Sequence, residues 1–262
     1  MASTSVGGHD SAAVTGAPDP RLRSIVAGGY CGWTLQPDRM AEFVLPAHTS
    51  VQFVLKVEDS ALRPPEFVHG ATDRPTTIES GCAPRYLQAD LTPLGAYRVF
   101  GIPMHHVAGR LVNLGEVLGP EGRRLGSTVR DATTWRARFD AVDRFLLGRV
   151  DAAPSVSGDV AYAWHELTAS GGSVPIRTIC RDIGWSHKHL ITRFRQEVGI
   201  TPKRAARLIR FERALGRIAG GVQPDWARLA AECGYADQAH LIRDFGEFAG
   251  TTPASLVRRS GR

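Results

Sequence analysis

Sulfur is scarce in this chain: 262 residues hold three methionines and four cysteines. The cysteines, Cys31, Cys82, Cys180 and Cys233, are scattered with no Cys-x-x-Cys spacing, which excludes a disulfide framework and a thiolate zinc site as organising features. Lysine is nearly missing too, since the 32 basic residues include only Lys56, Lys188 and Lys203 as lysines. No apolar run approaches the roughly eighteen residues that span a bilayer, so no transmembrane helix and no membrane partner are expected. Residues 1–20, MASTSVGGHDSAAVTGAPDP, lack the positive start and apolar core of a secretory signal. Rich in small residues and proline, they read as a disordered leader, and a cytoplasmic location follows as the default. A phosphate loop, a nucleophile elbow and paired catalytic carboxylates are all missing, so neither catalysis nor a cofactor is expected.

What is present is a composition suited to a soluble globular chain, with 43% hydrophobic and 22% charged residues, long enough for two ordinary domains. The charge is unevenly placed. From Ser155 onward 16 basic residues stand against 10 acidic ones, while residues 1–154 balance at 16 and 16. The whole excess of +6 therefore lies in the second part, which favours an anionic partner. Between the parts lies DAAPSVSGD, Asp151 to Asp159, small and polar and interrupted by Pro154 and Gly158. It divides a first region, 21–150, from a second, 159–262, across a linker of 151–158.

The first region reads as short strands with some helix. SVQFVLKVED (Ser50 to Asp59) and RYLQADLTPLGAYRVFG (Arg85 to Gly101), the latter broken near Pro93 and Gly95, carry β-branched and aromatic residues between turn formers. Such runs suggest a small barrel or sandwich. STVRDATTWRARFDAVDRFLLGRV then spaces Trp135, Phe139, Val142, Phe145 and Leu146 as the stripe of one amphipathic helix. That stripe packs either on the barrel or on a second copy of the chain.

The second region repeats itself. GWSHKHLITRFRQEVGITP, Gly184 to Pro202, returns as GYADQAHLIRDFGEFAGTTP, Gly234 to Pro253. Phe194 and Phe245, Gly199 and Gly250, and Pro202 and Pro253 are each 51 residues apart, whereas the opening glycines are 50 apart. The second copy thus carries one extra residue in its turn, where insertions are tolerated. Each copy is a short helix, a glycine turn, a second helix capped by Ser186 or Asp237, and a Thr-Pro pair that opens a third. This is the helix-turn-helix unit, written twice.

In each capped helix an apolar pair, Leu190 and Phe194 or Leu241 and Phe245, faces the core. The opposite face carries His187, Lys188, Ile191, Thr192 and Arg195, matched by Gln238, Ala239, Ile242, Arg243 and Gly246. Lys, Arg, Gln and Thr offer the donors and acceptors that read base edges in the major groove, and Ile or Ala can touch a thymine methyl. Arg193, Arg195, Lys203, Arg204 and Arg207, with Ser186 and His187, suit phosphate oxygens, which position without specifying. The helix from Pro202 to Ala219 is about 27 Å long at 1.5 Å per residue. A rod of that length could hold two reading helices in neighbouring grooves of one duplex, about 34 Å apart.

The last hundred residues resemble the DNA-binding domain of AraC-type transcription regulators. The resemblance rests on IRTICRDIGWSHKHLITRFRQEVGITPKRAARLIRFERAL and LAAECGYADQAHLIRDFGEFAGTTPASLVR, including the longer second turn. It implies base contacts from Lys188, Ile191 and Thr192 in the first unit and from Gln238, Ala239, His240 and Arg243 in the second. Leu256 stands where the family usually has an aromatic residue, and Asp244 and Glu247 make the second reading helix less basic than the first. The second unit is therefore expected either to bind weakly or to serve partly as a docking surface for RNA polymerase. LTPLGAYRVFGIPMHHVAGRLVNLGEVLG resembles a segment of the cupin-like sensor domains of that family, which implies a small-molecule effector or a dimerisation role for the first region.

The fold expected is thus α+β, a small cupin-like β-barrel with helices followed by two helix-turn-helix units on a long helix. The function expected is sequence-specific binding of double-stranded DNA. A barrel enzyme fused to a DNA-binding module would need a catalytic constellation in the first region, and an adaptor would not need two capped polar faces. His105 and His106 are adjacent, point in different directions and lack a downstream partner pattern, so no metal centre is expected there. Cys31 lacks the thiolate cluster of a reactive acceptor and reads as a buried small residue.

Overall fold

A computed structural model of the chain describes residues 13–34, 41–58, 65–80, 85–152, 155–219 and 225–260. The first region opens with strands β1 (Val14–Gly16), β2 (Val26–Thr34), β3 (Ala41–Leu45), β4 (Val51–Lys56), β5 (Glu66–His69), β6 (Thr76–Ser80) and β7 (Arg85–Leu91). Helix α1 (Pro93–Phe100), strand β8 (Leu111–Asn113) and helices α2 (Leu114–Leu118), α3 (Pro120–Asp131) and α4 (Trp135–Asp151) complete it. The strands form two antiparallel sheets, one in the order β1-β2-β7-β4-β5-β8 and one of β3 with β6.

The period of two in β4 and β7 decides what each sheet face meets. Val51, Phe53 and Leu55, beside Leu87, Ala89 and Leu91, turn to one side and are buried with Val99 of α1 and Phe139, Val142 and Leu146 of α4. Each such side chain stabilises the fold by about 1.5–3 kcal/mol. Gln52, Lys56, Gln88 and Asp90 fall on the opposite side, together with His69 of β5. The six-stranded sheet is therefore greasy where the helices cover it, while its other face mixes these polar groups with the buried Val54 and Phe67.

Three expectations change here. Val14–Gly16, expected within the leader, pairs with β2, while residues 1–12 lie outside the described residues. The run Arg85 to Gly101 is a strand followed by a helix, because the Thr92 side chain accepts the Gly95 N–H with Pro93 at the first helical position, the start signal that recurs at Thr201 and Pro202. The single helix expected across Trp135 is two helices: the chain breaks at Ala132, and the Thr134 side chain accepts the Ala137 N–H to start α4 afresh. Its apolar stripe is covered by the chain's own sheet.

The second region is all helix: α5 (Gly158–Ala169), α6 (Ile176–Ile183), α7 (His187–Val198), α8 (Pro202–Ile218), α9 (Trp226–Glu232), α10 (Gln238–Ala249) and α11 (Pro253–Ser260). Leu208, Phe211, Leu215 and Ile218 of α8 are buried, so the rod is the spine on which both repeats pack. Gly199 and Gly250 end α7 and α10 in the left-handed conformation, at φ 97° and 66°. Ala47 and Ala71, from loops of the first region, are buried in this same helical core. The two regions are thus packed together.

Candidate nucleic-acid interface

The two reading helices begin alike. The Ser186 hydroxyl accepts the His189 N–H at 3.2 Å, and the Asp237 carboxylate accepts the His240 N–H at 2.7 Å. Each cap satisfies a donor that the helix start leaves unpaired. Leu190, Phe194, Leu241 and Phe245 are fully buried, which fixes the rotation of each helix about its own axis.

That rotation leaves the expected reading residues outside. Ser186, His187, Lys188, Thr192 and Arg195 are exposed along α7, and Ile191 is half-buried beside them. Gln238, Ala239, Ile242, Arg243 and Gly246 are exposed along α10. Thr192 donates its hydroxyl to the Lys188 carbonyl at 3.1 Å, and Arg243 Nε donates to the Ala239 carbonyl at 3.3 Å. Both side chains therefore lie along their helices in the unbound chain. Lys203, on the first turn of α8, is exposed.

Other residues expected at phosphates are engaged within the unbound chain. Arg193 pairs with Glu197 at 2.9 Å, and Glu197 is fully buried and also accepts the Ser157 N–H. Arg207 pairs with Asp244 at 2.6 Å and with Glu247, while Arg204 pairs with Glu247 and, at 2.7 Å, with Asp73 of the first region. Both guanidinium groups also lie about 5 Å over the Phe248 ring, a favourable cation–π placement. Burial pushes the Glu247 carboxyl upward, but its bonds to Arg207 and Arg204 outweigh this and hold it below the usual range. Asp244, 1% exposed, is buried beside Arg207, whereas Glu247 stays exposed. The acidity of the second helix clamps α10 to the rod and leaves the reading face neutral to basic.

His240 is engaged in the same way. Its ring packs edge-on against Tyr235 at 5.2 Å, with Nε2 turned towards Asp244. The first unit has the same arrangement at the same place, with His189 against Trp185 at 4.4 Å. His189 and His240 are 51 apart, so the repeat spacing marks this turn-stiffening pair even though His189 was not singled out from the sequence.

The remaining candidates sit elsewhere. His105 and His106 are exposed on a 3-10 turn, Met104–His106, and no metal-holding cluster of His, Cys, Asp or Glu occurs among the described residues. Cys31 is half-buried, and burial raises its thiol pKa, which suppresses the thiolate. Cys180 and Cys233 are buried in the helical core, and Cys82 lies outside the described residues. Leu256 is buried as well, filling core space at the position of the family aromatic. Among the described residues no helix is long and apolar enough to cross a membrane.

A helix-turn-helix domain family matches residues 179–259, from α6 to α11. No curated protein matches the chain. Among solved structures the chain is similar to ToxT from Vibrio cholerae O395, at 10% identity over 88% of this chain and 97% of that one, with a TM-score of 0.47. It is also similar to unsaturated fatty acid bound wild-type ToxT from Vibrio cholerae strain SCE256, at 11% identity over 96% of each chain, with a TM-score of 0.41. Residues 179–259 thus match a helix-turn-helix domain.

Proposed function

We propose that this chain is a cytoplasmic, sequence-specific transcription regulator whose helices α7 and α10 read neighbouring major-groove segments of one DNA site. The observation that carries the reading is the matched pair of capped helices, each with a buried apolar pair and an exposed polar face, on a single 17-residue rod. Base edges fall to Lys188, Ile191 and Thr192 of α7 and to Gln238, Ala239 and Arg243 of α10. Arg195, Lys203, Ser186 and His187 fall to phosphates, where counterion release makes binding salt-dependent. Residues 21–150 form the controlling part, 151–158 the linker and 159–262 the DNA-binding part. A small-molecule effector falls to the first part, whose six-stranded sheet carries Gln52, Lys56, His69, Gln88 and Asp90 on the face opposite α1 and α4. Self-association and contact with RNA polymerase complete the reading, and sedimentation of the full chain, alone and with polymerase, checks both.

Selection of bound duplexes from a random pool tests the central claim. A recovered motif with two half-sites about one helical turn apart supports it. On that motif Lys188→Ala and Arg243→Ala should each relax discrimination at one step, by about 1–3 kcal/mol. Arg195→Ala should weaken all duplexes alike and reduce the salt slope by about one. Equal loss on selected and random DNA for all three variants, or no enriched motif, would refute the reading.

A further inference from the structure

The two reading helices keep the same isoleucine and surround it differently. Ile191 of α7 and Ile242 of α10 stand 51 residues apart, at equivalent places in the repeat. Lys188 lies one turn before Ile191 and Arg195 one turn after it, whereas the equivalents around Ile242 are Ala239 and Gly246. Residues three and four apart share a helix face, so the long cations that flank the first isoleucine are cleared from the second. Ile191 is half-buried, while Ile242 is 38% exposed. A methyl group on Gly246 would meet nothing within 4 Å, so the surface beside Ile242 is open. Among the described residues the other large apolar side chains this exposed are Val44, Leu111 and Tyr162, none of them on a reading helix.

Ala239, Ile242 and Gly246 thus make a strip along α10 from which one side chain protrudes and on which no side chain can donate or accept a hydrogen bond. Gln238 and Arg243 border it, and Arg243 Nε is bound to the Ala239 carbonyl at the strip's edge. The burial of Leu241 and Phe245 sets the rotation that turns the strip outward. Such a surface cannot read a donor or an acceptor on a base. In the major groove the one apolar substituent on a base edge is the C5-methyl of thymine.

We propose that Ile242 is a specificity-determining residue that reads a thymine C5-methyl in the second half-site, with Ala239 and Gly246 letting the base edge come close to α10. This rests on the DNA-reading assignment of α10 and deepens it. Lys188 and Thr192 present polar groups to the first half-site, while α10 recognises its own by an apolar contact beside Arg243. Burying one methyl against Ile242 should change affinity about fourfold, the ratio that corresponds to taking one methylene-sized group out of water. The contact carries no charge, so its effect stays level as salt rises, unlike that of the phosphate contacts.

Replacing each thymine of a selected duplex in turn by deoxyuridine removes the methyl and nothing else. At one thymine, in the half-site where Arg243→Ala relaxes discrimination, the full-length wild type should bind about fourfold more weakly without the methyl, at low and high salt alike. Ile242→Ala should bind the two duplexes equally, and Ile242→Val should keep the difference. Because each readout is a ratio of two duplexes on one protein, any loss of folded protein cancels from it. A motif without thymine, a wild type indifferent to every thymine methyl, or an Ile242→Ala variant that keeps the wild-type ratio overturns the proposal. An Ile242→Ala variant that keeps that ratio and loses self-association in sedimentation would make the strip a contact between copies instead. If no motif is enriched, the DNA reading fails and the methyl contact falls with it, whereas a motif read without the methyl faults Ile242 alone.

Discussion

Asp244 shows how far one side chain's neighbours can invert its meaning. Read along α10 it is an acid on a helix meant for a polyanion, yet it is 1% exposed and pairs with Arg207 from the rod. Removing one member of such a pair leaves a buried charge uncompensated, which costs several kcal/mol, whereas replacing both together costs less. Arg207→Ala should therefore destabilise the chain by about 3 kcal/mol, and Arg207→Ala with Asp244→Ala by less than the sum of the single changes. Urea denaturation of the four proteins in the cycle measures the coupling, and strict additivity would refute the clamp. Lys188, Thr192 and Arg243 keep the exposure that the periodicity gave them, because Leu190, Phe194, Leu241 and Phe245 fix which face turns outward.

At the scale of the element, the Thr-Pro and Ser or Asp caps define starts in the same way throughout. Thr92, Thr134, Ser186, Thr201 and Asp237 each accept a backbone N–H from three residues on. Ser186→Ala and Asp237→Ala should each cost about 1 kcal/mol, seen as matching losses in denaturation midpoint. A more severe break is expected at Gly172, which sits at φ 78° in the turn before α6. A methyl there would meet the Ala206 carbonyl oxygen at 2.2 Å, so Gly172→Ala should pry α8 from the turn. Thermal melts of the full chain should show a larger loss for Gly172→Ala than for either cap variant. The elements that differ from expectation turn on such start signals: Thr92-Pro93 opens a helix inside a run of β-branched tone, and Thr134 interrupts a helical periodicity that continues on both sides.

For the whole molecule, the two regions behave as one packed body because Ala47 and Ala71 of the first lie inside the core of the second. Ala47→Asp places an unpaired charge there and should undock the first region, read as a larger radius of gyration in X-ray scattering with unchanged helix content. Acid and alkali should loosen different joints. The Glu247 carboxyl is held below its usual range by Arg207 and Arg204, so its contribution to the α10 clamp is present above 4.5 and lost as pH falls. Glu212 of α8, which accepts the Thr49 N–H at 2.6 Å and is pushed up to about 7 chiefly by desolvation, acts in the opposite direction, its contribution fading as pH rises through that value. Denaturation midpoints of the wild type against pH should pass through a maximum, and Glu212→Gln should flatten only the alkaline side.

Local rules were enough to place the repeat, its caps, its buried apolar pairs and its outward polar residues, since each depends on neighbours within about one or two helical turns. Strand β4 and the stripe on α4 were legible for the same reason. The pairing of β1, the covering of α4 by the sheet, the engagement of Arg193, Arg204 and Arg207, and the contacts of Ala47, Thr49 and Asp73 with α10 and α8 were not. Those contacts join residues up to 201 positions apart, as Ala47 and Phe248 are, and burial, charge partners and proton affinity at such sites exist only once the chain has brought them together.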